Sequence, residues 1–540
     1  MSTFVLMLLP PTKYFLCEIA TLKRVSLVRR NLSKWKQRVS LLVRVTVTRP
    51  KEACAVVGAH STINEVVDDL WHAMLALQHR GQEGNGLFTF DGSRFYHQKT
   101  LGLIDELENF HSLHGTCGIG HVRYSTTGLS PLDQSKRGGQ SQQAAENSVQ
   151  PFFLSYPKGG IAICHNGNLV NYVALRQELT RQERFLSSDC DAEVILGYLV
   201  KELSETRDLE KAVSRSMTAL EGAYSAVMIT GERELVAFRD PHGFRPLCYG
   251  RTADKTIFAS ESVGLDAAGA ELISDVRPGE MIIVNSEGEV ERKNLAPNKR
   301  TAHCMFEYVY FSRPDSVIDG SEVYPVRIKL GQELAATYET DADVIVPIPD
   351  TARPAAEGIA RITGIEISEG LIKNRYVGRT FIMPGQSRRE NSVALKLNPV
   401  KSILKDRKVI LVDDSIVRGT TSRKIVNLVR AAEPKSVEFW VTCPPIISPC
   451  FYGIDISTHQ ELIAARKSVP EIAETLNADR VCYQTLDGLV NALGFDRNEL
   501  CMACLTGEYP TPLAQSIADR MSGQLGEGDT RRYWERELPA

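Results

Sequence analysis

Near residue 294 the hydrophobic pattern changes character, and that change divides the chain into at least two domains. Before it, apolar runs such as Gly118 to Val122, Gly160 to Cys164, Ala223 to Ile229 and Met281 to Val284 alternate with Gly- and Asp-rich turns. Few helical stretches intervene, which is the signature of an antiparallel α+β domain. One helix is expected after the apolar run Ala53 to Gly58, opened by a capping box at Thr62-Ile63-Asn64-Glu65 and closed by Gly81. Residues Pro131 to Gln150 are polar and read as an exposed loop. Beyond residue 294, strands at Asp343 to Pro349, Val409 to Val412 and Val437 to Thr442 alternate with helices at Pro354 to Ile362 and Thr420 to Ala432. Continuous apolar strands joined by helices imply a parallel, doubly wound sheet. With Pro297 marking the boundary, the expected division is 1–53, 54–293, 294–505 and a loosely held polar tail, 506–540.

Length and charge agree with this division. At roughly 150 residues per domain, 540 residues accommodate two to four. The longest apolar run near the start, Phe4 to Leu9, is far short of the ~18 residues of a membrane span. Residues 1–53 carry eleven Lys/Arg against two Glu, whereas the rest carries 52 basic against 64 acidic groups. With an acidic bulk a nucleic-acid groove, which needs clustered cations, is not expected. The Arg-rich leader leaves three readings open: a mis-assigned start, a propeptide, or a transit peptide that would make the location plastid instead of cytoplasmic.

The most specific motif runs from Val409 to Thr421. A buried strand delivers Asp413 and Asp414 at its carboxyl end; a loop with Ser415 and Gly419 follows, then a helix opened by Thr420 and Thr421. Loop N–H groups and the helix amino terminus can hold a phosphate, and the two carboxylates can engage ribose hydroxyls or hydrated Mg²⁺. The alternative is a plain turn. No Gly-Lys-Ser/Thr follows, so this is not a Walker A loop. Upstream, Lys373, Arg375 and Arg379 supply cations suited to a pyrophosphate, and Thr380 to Pro399 reads as a lid. The stretch resembles the phosphoribosyl pyrophosphate signature of type I phosphoribosyltransferases.

In the first half, Cys54 is followed by Gln78-His79-Arg80-Gly81-Gln82, Gly120-His121-Val122-Arg123-Tyr124-Ser125, His165-Asn166-Gly167-Asn168 and Asp191-Ala192-Glu193. This ordered set resembles the class II glutamine amidotransferases, with an N-terminal-nucleophile αββα fold. The resemblance implies that Cys54 is a nucleophile exposed as the mature amino terminus after cleavage at Ala53–Cys54. A free α-amine, of pKa roughly 7.7–8, then serves as base, which an amide cannot do. Arg123 would pair with the glutamine α-carboxylate and Asp191 with its α-ammonium, Asp189 being the weaker candidate. Asn166 and Gly167 would form the oxyanion hole and Arg80 would close over the site, leaving His79, His121 and His165 structural. Ala55 stands where the family usually has Gly.

Cys501-Met502-Ala503-Cys504 is a CxxC that zinc or redox chemistry could also use. With Cys304 in His303-Cys304-Met305-Phe306-Glu307-Tyr308 and Cys450 in Ser448-Pro449-Cys450-Phe451-Tyr452-Gly453, it resembles the iron–sulfur subgroup of amidophosphoribosyltransferases. The resemblance implies a [4Fe–4S] cluster on Cys304, Cys450, Cys501 and Cys504, with a Cys₄ zinc site as the rival. It also implies glutamine and phosphoribosyl pyrophosphate as substrates, purine nucleotides as feedback inhibitors and a homotetramer. The family often takes a third Mg²⁺ ligand from a Ser or Thr where this chain has Ala352, so that contribution is lost, taken up by water, or supplied by Thr351 as a weaker substitute.

Overall fold

The computed structural model describes residues 54–124, 147–184, 186–296, 300–374, 397–456 and 458–522. The leader, most of the Pro131 to Gln150 loop, Arg375 with the expected lid, and the tail beyond 522 lie outside the described residues.

The first half is two stacked antiparallel sheets. Strands β1 (Ala55–Ser61), β2 (Gly84–Phe90), β3 (Phe95–Thr100), β4 (Cys117–Arg123), β5 (Phe152–Leu154), β6 (Ile161–Leu169), β7 (Gly222–Thr230), β8 (Leu235–Arg239), β9 (Cys248–Arg251), β10 (Lys255–Ala259), β11 (Glu271–Asp275), β12 (Glu280–Val284) and β13 (Val290–Asn294) follow one another. One sheet has the order β11-β9-β10-β1-β4-β2-β3 and the other β13-β12-β8-β7-β6-β5.

Side-chain alternation explains the layering. In β1, Ala55, Val57 and Ala59 pack with Val67, Leu70 and Met74 of helix Val67–Ala76. Val56, pointing the other way, packs with Ala162 and Cys164 of β6 and Val227 of β7. Both faces of β1 are therefore covered, which is why its sequence is continuously apolar instead of alternating. Ile161 and Ile163 of β6 face helix Asp191–Thr206. The result is helix, sheet, sheet, helix: the expected αββα fold.

In the second half, strands Val344–Pro347, Lys408–Asp413, Ser436–Val441 and Arg480–Tyr483 form one parallel sheet in sequence order. Val409, Leu411, Val437 and Phe439 fill one face, whereas Ile410, Val412 and Trp440 fill the other. Helices Arg353–Thr363 and Thr420–Arg430 fall within a few residues of their expected bounds.

Three expectations need correction. The capping box does not form, because Ser61 Oγ accepts the Ile63 and Asn64 N–H groups and Glu65 pairs with His114. The helix starts at Val67 with no side-chain cap. Ser148, Val149 and Gln150 are buried, not exposed; Gln150 Oε1 accepts the His165 N–H at 2.7 Å. The tail is not loose up to residue 522: Pro512–Ser522 is a helix whose Ala514, Ile517 and Ala518 pack with Ala223, Phe244 and Tyr452. Leu513 N–H also bonds Glu221 Oε1 of the first half at 2.8 Å. Replacing Ile517 by Ala is expected to cost about 2–5 kcal/mol, read as a lowered denaturant midpoint at unchanged slope.

Candidate active site

Cys54 immediately precedes β1, and the register of β1 on β4 sets Ala55 opposite Val122. That pairing brings the thiol to the end of β4, where Sγ donates to the Tyr124 carbonyl at 3.0 Å and receives the Tyr124 N–H at 3.3 Å. Burial pushes the thiol pKa up to about 11, against the Tyr124 hydrogen bond and Arg123, while Asp191 and Glu83 raise it further. Arg123, Asp191 and Cys54, distant in sequence, thus lie within electrostatic reach of one another. Arg123 is buried and donates to Ser148 Oγ at 3.1 Å.

Asp191 opens helix Asp191–Thr206 and accepts from His165 Nε2 at 3.0 Å and from the Leu169 N–H at 3.1 Å. The loop before it is fixed by Glu193, which takes the N–H and hydroxyl of both Ser187 and Ser188 at 2.7 Å. Asp189 instead pairs with Arg176 and its side chain is largely exposed. His79 spends a ring nitrogen on Glu261, as His165 does on Asp191.

Asn166 and Gly167 are consecutive in β6, backed by β7. The Asn166 side-chain N–H group is buried with no hydrogen-bond partner among the described residues. Gly167 has φ +148°, and a Cβ there would stand 2.0 Å from the Ala223 carbonyl oxygen. Only glycine keeps the strand pairing at that point.

Arg80 does not occupy the position expected of a cation closing over the site. It is fully buried, and its Nε donates to the Cys54 carbonyl at 3.1 Å. Its terminal nitrogens are committed to Glu261 and Glu307. With those donors spent on fixed carboxylates, it has no freedom to act as a lid.

In the second half, Asp413 and Asp414 leave the carboxyl end of the strand Lys408–Asp413, both buried. Ser415 Oγ donates to Asp414 Oδ1 and Thr351 Oγ1 to Asp414 Oδ2, each at 2.6 Å. Thr351 therefore reaches the acidic pair, and its neighbour Ala352 is buried beside Ile345 and Ile410. Gly419 takes φ +73° at the start of helix Thr420–Arg430. The hydroxyls of Thr420 and Thr421 are buried without partners among the described residues. A left-handed glycine, orphaned hydroxyls and a helix amino terminus are features that an anion site can use. Lys373 pairs with Asp350, and both are half-exposed.

The segments that carry the four cysteines are neighbours. His303–Cys304 pairs in parallel with Leu500–Cys501, setting Cys304 opposite Cys501. The Cys504 carbonyl accepts the N–H groups of Ile447 and Ser448 at 2.9 and 3.0 Å, which fixes the loop carrying Cys450. Tyr452 N–H points at Cys450 Sγ at 3.4 Å. Burial pushes the Cys504 thiol well up, and Cys450, Cys443, Cys304 and Cys501 all act on it electrostatically; burial pushes Cys304 up to about 12. Among the described residues no three His, Cys, Asp or Glu side chains are close enough to share one metal ion.

Comparison with known proteins agrees with both halves. Residues 140–267 match the glutamine amidotransferase domain and residues 320–448 the phosphoribosyl transferase domain. The amidophosphoribosyltransferase of Methanocaldococcus jannaschii is 46% identical over 477 residues, covering 85% of this chain and 98% of the relative. This chain belongs to the amidophosphoribosyltransferase family. Its Bacillus subtilis member is 41% identical over 474 residues, covering 86% of this chain and 95% of that one. A solved B. subtilis structure, described as complexed with ADP and GMP, superposes with a TM-score of 0.77 at 40% identity and covers 85% of this chain and 98% of its own.

An amidophosphoribosyltransferase moves the amide nitrogen of glutamine to C1 of phosphoribosyl pyrophosphate, giving phosphoribosylamine, glutamate and pyrophosphate, which fits the first step of purine nucleotide synthesis. Glu307 and Arg245, which bind Arg80 directly or through each other, were not singled out by sequence motifs; Glu307 lies inside the stretch that marks Cys304. At Gly419, an alanine would carry a left-handed penalty of about 1–2 kcal/mol and a Cβ 2.9 Å from Ile463 Cδ1. Gly419→Ala is expected to slow pyrophosphate release equally with glutamine or ammonium as nitrogen donor.

Proposed function

We propose that Cys54 is the glutaminase nucleophile and that Asp413 and Asp414 hold the ribose of phosphoribosyl pyrophosphate at the second site. The observation that carries the reading is the convergence of Cys54 with Arg123 and Asp191, one cation and one anion suited to the two charges of an amino acid. In this reading Arg123 forks onto the α-carboxylate and Asp191 receives the α-ammonium. The thiol proton passes to the Cys54 α-amine as sulfur bonds the amide carbon. The Asn166 side-chain N–H and the Gly167 N–H stabilise the resulting oxyanion. Collapse breaks the C–N bond and releases ammonia with a returned proton; water then cleaves the thioester to glutamate. At the second site the ammonia lone pair attacks C1, the C1–O bond breaks, and pyrophosphate leaves as the new amine loses a proton.

Cleavage at Ala53–Cys54 is part of this proposal, because an amide nitrogen has no basic lone pair and a thiol near pKa 11 is almost wholly protonated at neutral pH. The second site fits Mg²⁺: Asp413 and Asp414, with Thr351 alongside, are hard oxygen donors, and the ion would neutralise the leaving diphosphate. Gly419, Thr420, Thr421 and Ser415 would cradle the 5′-phosphate, with Lys373 and Arg375 toward the pyrophosphate. Cys304, Cys450, Cys501 and Cys504 are read as the four thiolates of a [4Fe–4S] cluster, with zinc as the rival. A tetrahedral Zn–S distance of about 2.3 Å demands thiolates in mutual contact, whereas a cluster takes one thiolate per iron and tolerates a wider set. The cluster would pin residues 450 and 501–504 to residue 304.

Feedback by purine nucleotides is supported by the relative complexed with ADP and GMP; the homotetramer and the cytoplasm complete the reading. Relatives from Arabidopsis thaliana carry the word chloroplastic in their names, so the plastid stays the alternative.

Cys54→Ser in the full chain is expected to abolish glutamine use while ammonium salts still yield phosphoribosylamine; undiminished glutamine use would overturn the nucleophile assignment. Asn166→Ala is expected to lower the glutamine kcat by about 10²–10³-fold at little change in ammonia-dependent rate. The glutamine kcat/KM should rise with pH and level off above about 8, because the unprotonated amine is the active form. A profile still climbing toward pH 11 would instead report direct ionisation of the buried thiol.

A further inference from the structure

Glu307 belongs to a π-helical turn, Glu307–Phe311, three residues beyond Cys304. Its carboxylate is nevertheless spent on side chains of the first half. Oε1 and Oε2 accept from Arg80 Nη2 and Nη1 at 2.8 and 2.9 Å, a bidentate fork, and Oε1 also accepts from Arg245 Nη1 at 2.8 Å. Ser312 Oγ donates to Oε2 at 3.1 Å. The two arginines then reach separate parts of the glutamine site. Arg80 Nε holds the carbonyl of Cys54 at 3.1 Å. Arg245 Nε and Nη2 hold the Tyr452 carbonyl at 3.1 and 3.0 Å. The next residue, Gly453 (φ +100°), lies on Gly167 so closely that a Cβ there would stand 3.0 Å from the Gly167 carbonyl carbon and 3.1 Å from its oxygen.

One carboxylate therefore fixes the main chain of the nucleophile and, through the 452–453 turn, Gly167, the strand residue that follows Asn166. All three side chains are at most 2% exposed. Glu261 is the second anion of the knot, bonded to Arg80 and His79. Burial opposes the charge on Glu307, yet Arg80 and Arg245 outweigh it and hold the carboxyl below its ordinary range. The far side of the same turn is gripped by Arg327, which donates to the Tyr308 and Ser312 carbonyls at 2.8 and 2.7 Å and feels the charge of Asp414.

We propose that Glu307 is a positioning residue for the glutamine reaction, supplied from beyond residue 294, so that thioester formation requires the second half to be docked. The proposal rests on the reading of Cys54 as nucleophile. A bidentate fork fixes both the angle and the distance of a guanidinium, and misplacing a reacting group by about 1 Å can cost roughly 10²-fold in rate. An amide at position 307 keeps the shape but leaves Arg80 with Glu261 as its one carboxylate partner and takes away the carboxylate partner that Arg245 has among the described residues.

The test uses Glu307→Gln and Glu307→Asp in the full-length enzyme. It reads kcat and KM for glutamine, the ammonia-dependent rate of pyrophosphate release, and the thermal midpoint. Glu307→Gln is expected to lower the glutamine kcat by roughly 10²-fold, with KM and the ammonia-dependent rate within about threefold of the parent. Glu307→Asp, which restores the charge at a shorter reach, is expected to recover part of that loss. Full glutamine activity in Glu307→Gln, an aspartate no better than the amide, or parallel loss of both activities would each overturn the proposal. So would failure of both variants to fold, since Glu307 would then be scaffold alone. Glutamine use by Cys54→Ser would defeat the nucleophile reading whatever Glu307 does, so the two failures are distinguishable.

Discussion

A buried carboxylate shared by two guanidiniums is costly to desolvate and costlier to leave half-paired, by about 3–5 kcal/mol when one partner is removed. Glu307 between Arg80 and Arg245 is such a group, and much of the first site is arranged around it. The network is cross-linked through main-chain carbonyls of Cys54 and Tyr452, so a rigid ionic knot sets backbone positions instead of merely joining two surfaces. A second buried pair of the same type, Arg239 with Asp319 at 2.6 Å, ties β8 to the segment after Cys304. Each stabilises the fold only when both halves are present, because an isolated half would expose or orphan a charge.

Both candidate sites sit where regular structure ends. Cys54 enters β1, Arg123 closes β4 and Asp191 opens a helix, so three well-packed elements bring the two charges within electrostatic reach of the thiol. The Asp pair leaves a strand flanked on both sides by parallel neighbours, and the following helix begins at Thr420. Rigid elements with functional groups at their ends hold geometry better than loops would. The cysteine-bearing turn at 450–453 touches Gly167 on one side and packs with Cys501 and Ala503 on the other.

The sequence made the architecture readable because period and burial coincide. The change near residue 294 separated antiparallel from parallel sheet, and the Val409 to Thr421 run placed its carboxylates at a strand end, as found. The ordered motifs around Cys54 include Arg123 and Asp191, whose charges reach the thiol. What escaped were features decided by long-range competition. Thr62 to Glu65 spelled a capping box, but Ser61 and His114 claimed those groups first. The helix Pro512–Ser522 has an apolar stripe at Leu513, Ile517, Ala518 and Met521 that its polar, glycine-rich surroundings masked. Arg80 was placed near the right residue with the wrong freedom, because nothing local to it announces Glu261 or Glu307. Glu307 was hidden in plain view beside Cys304, since a lone buried glutamate has no motif until its cations are located in space.

If the knot makes one machine of two sites, occupation of the second should be felt at the first. Glutamate release by the intact enzyme, measured with and without phosphoribosyl pyrophosphate, tests this most directly. A clear rise in rate is expected when the sugar substrate is added, with glutamate and phosphoribosylamine then formed in equal amounts. An unchanged rate, or glutamate formed far in excess of amine at saturation, would contradict it.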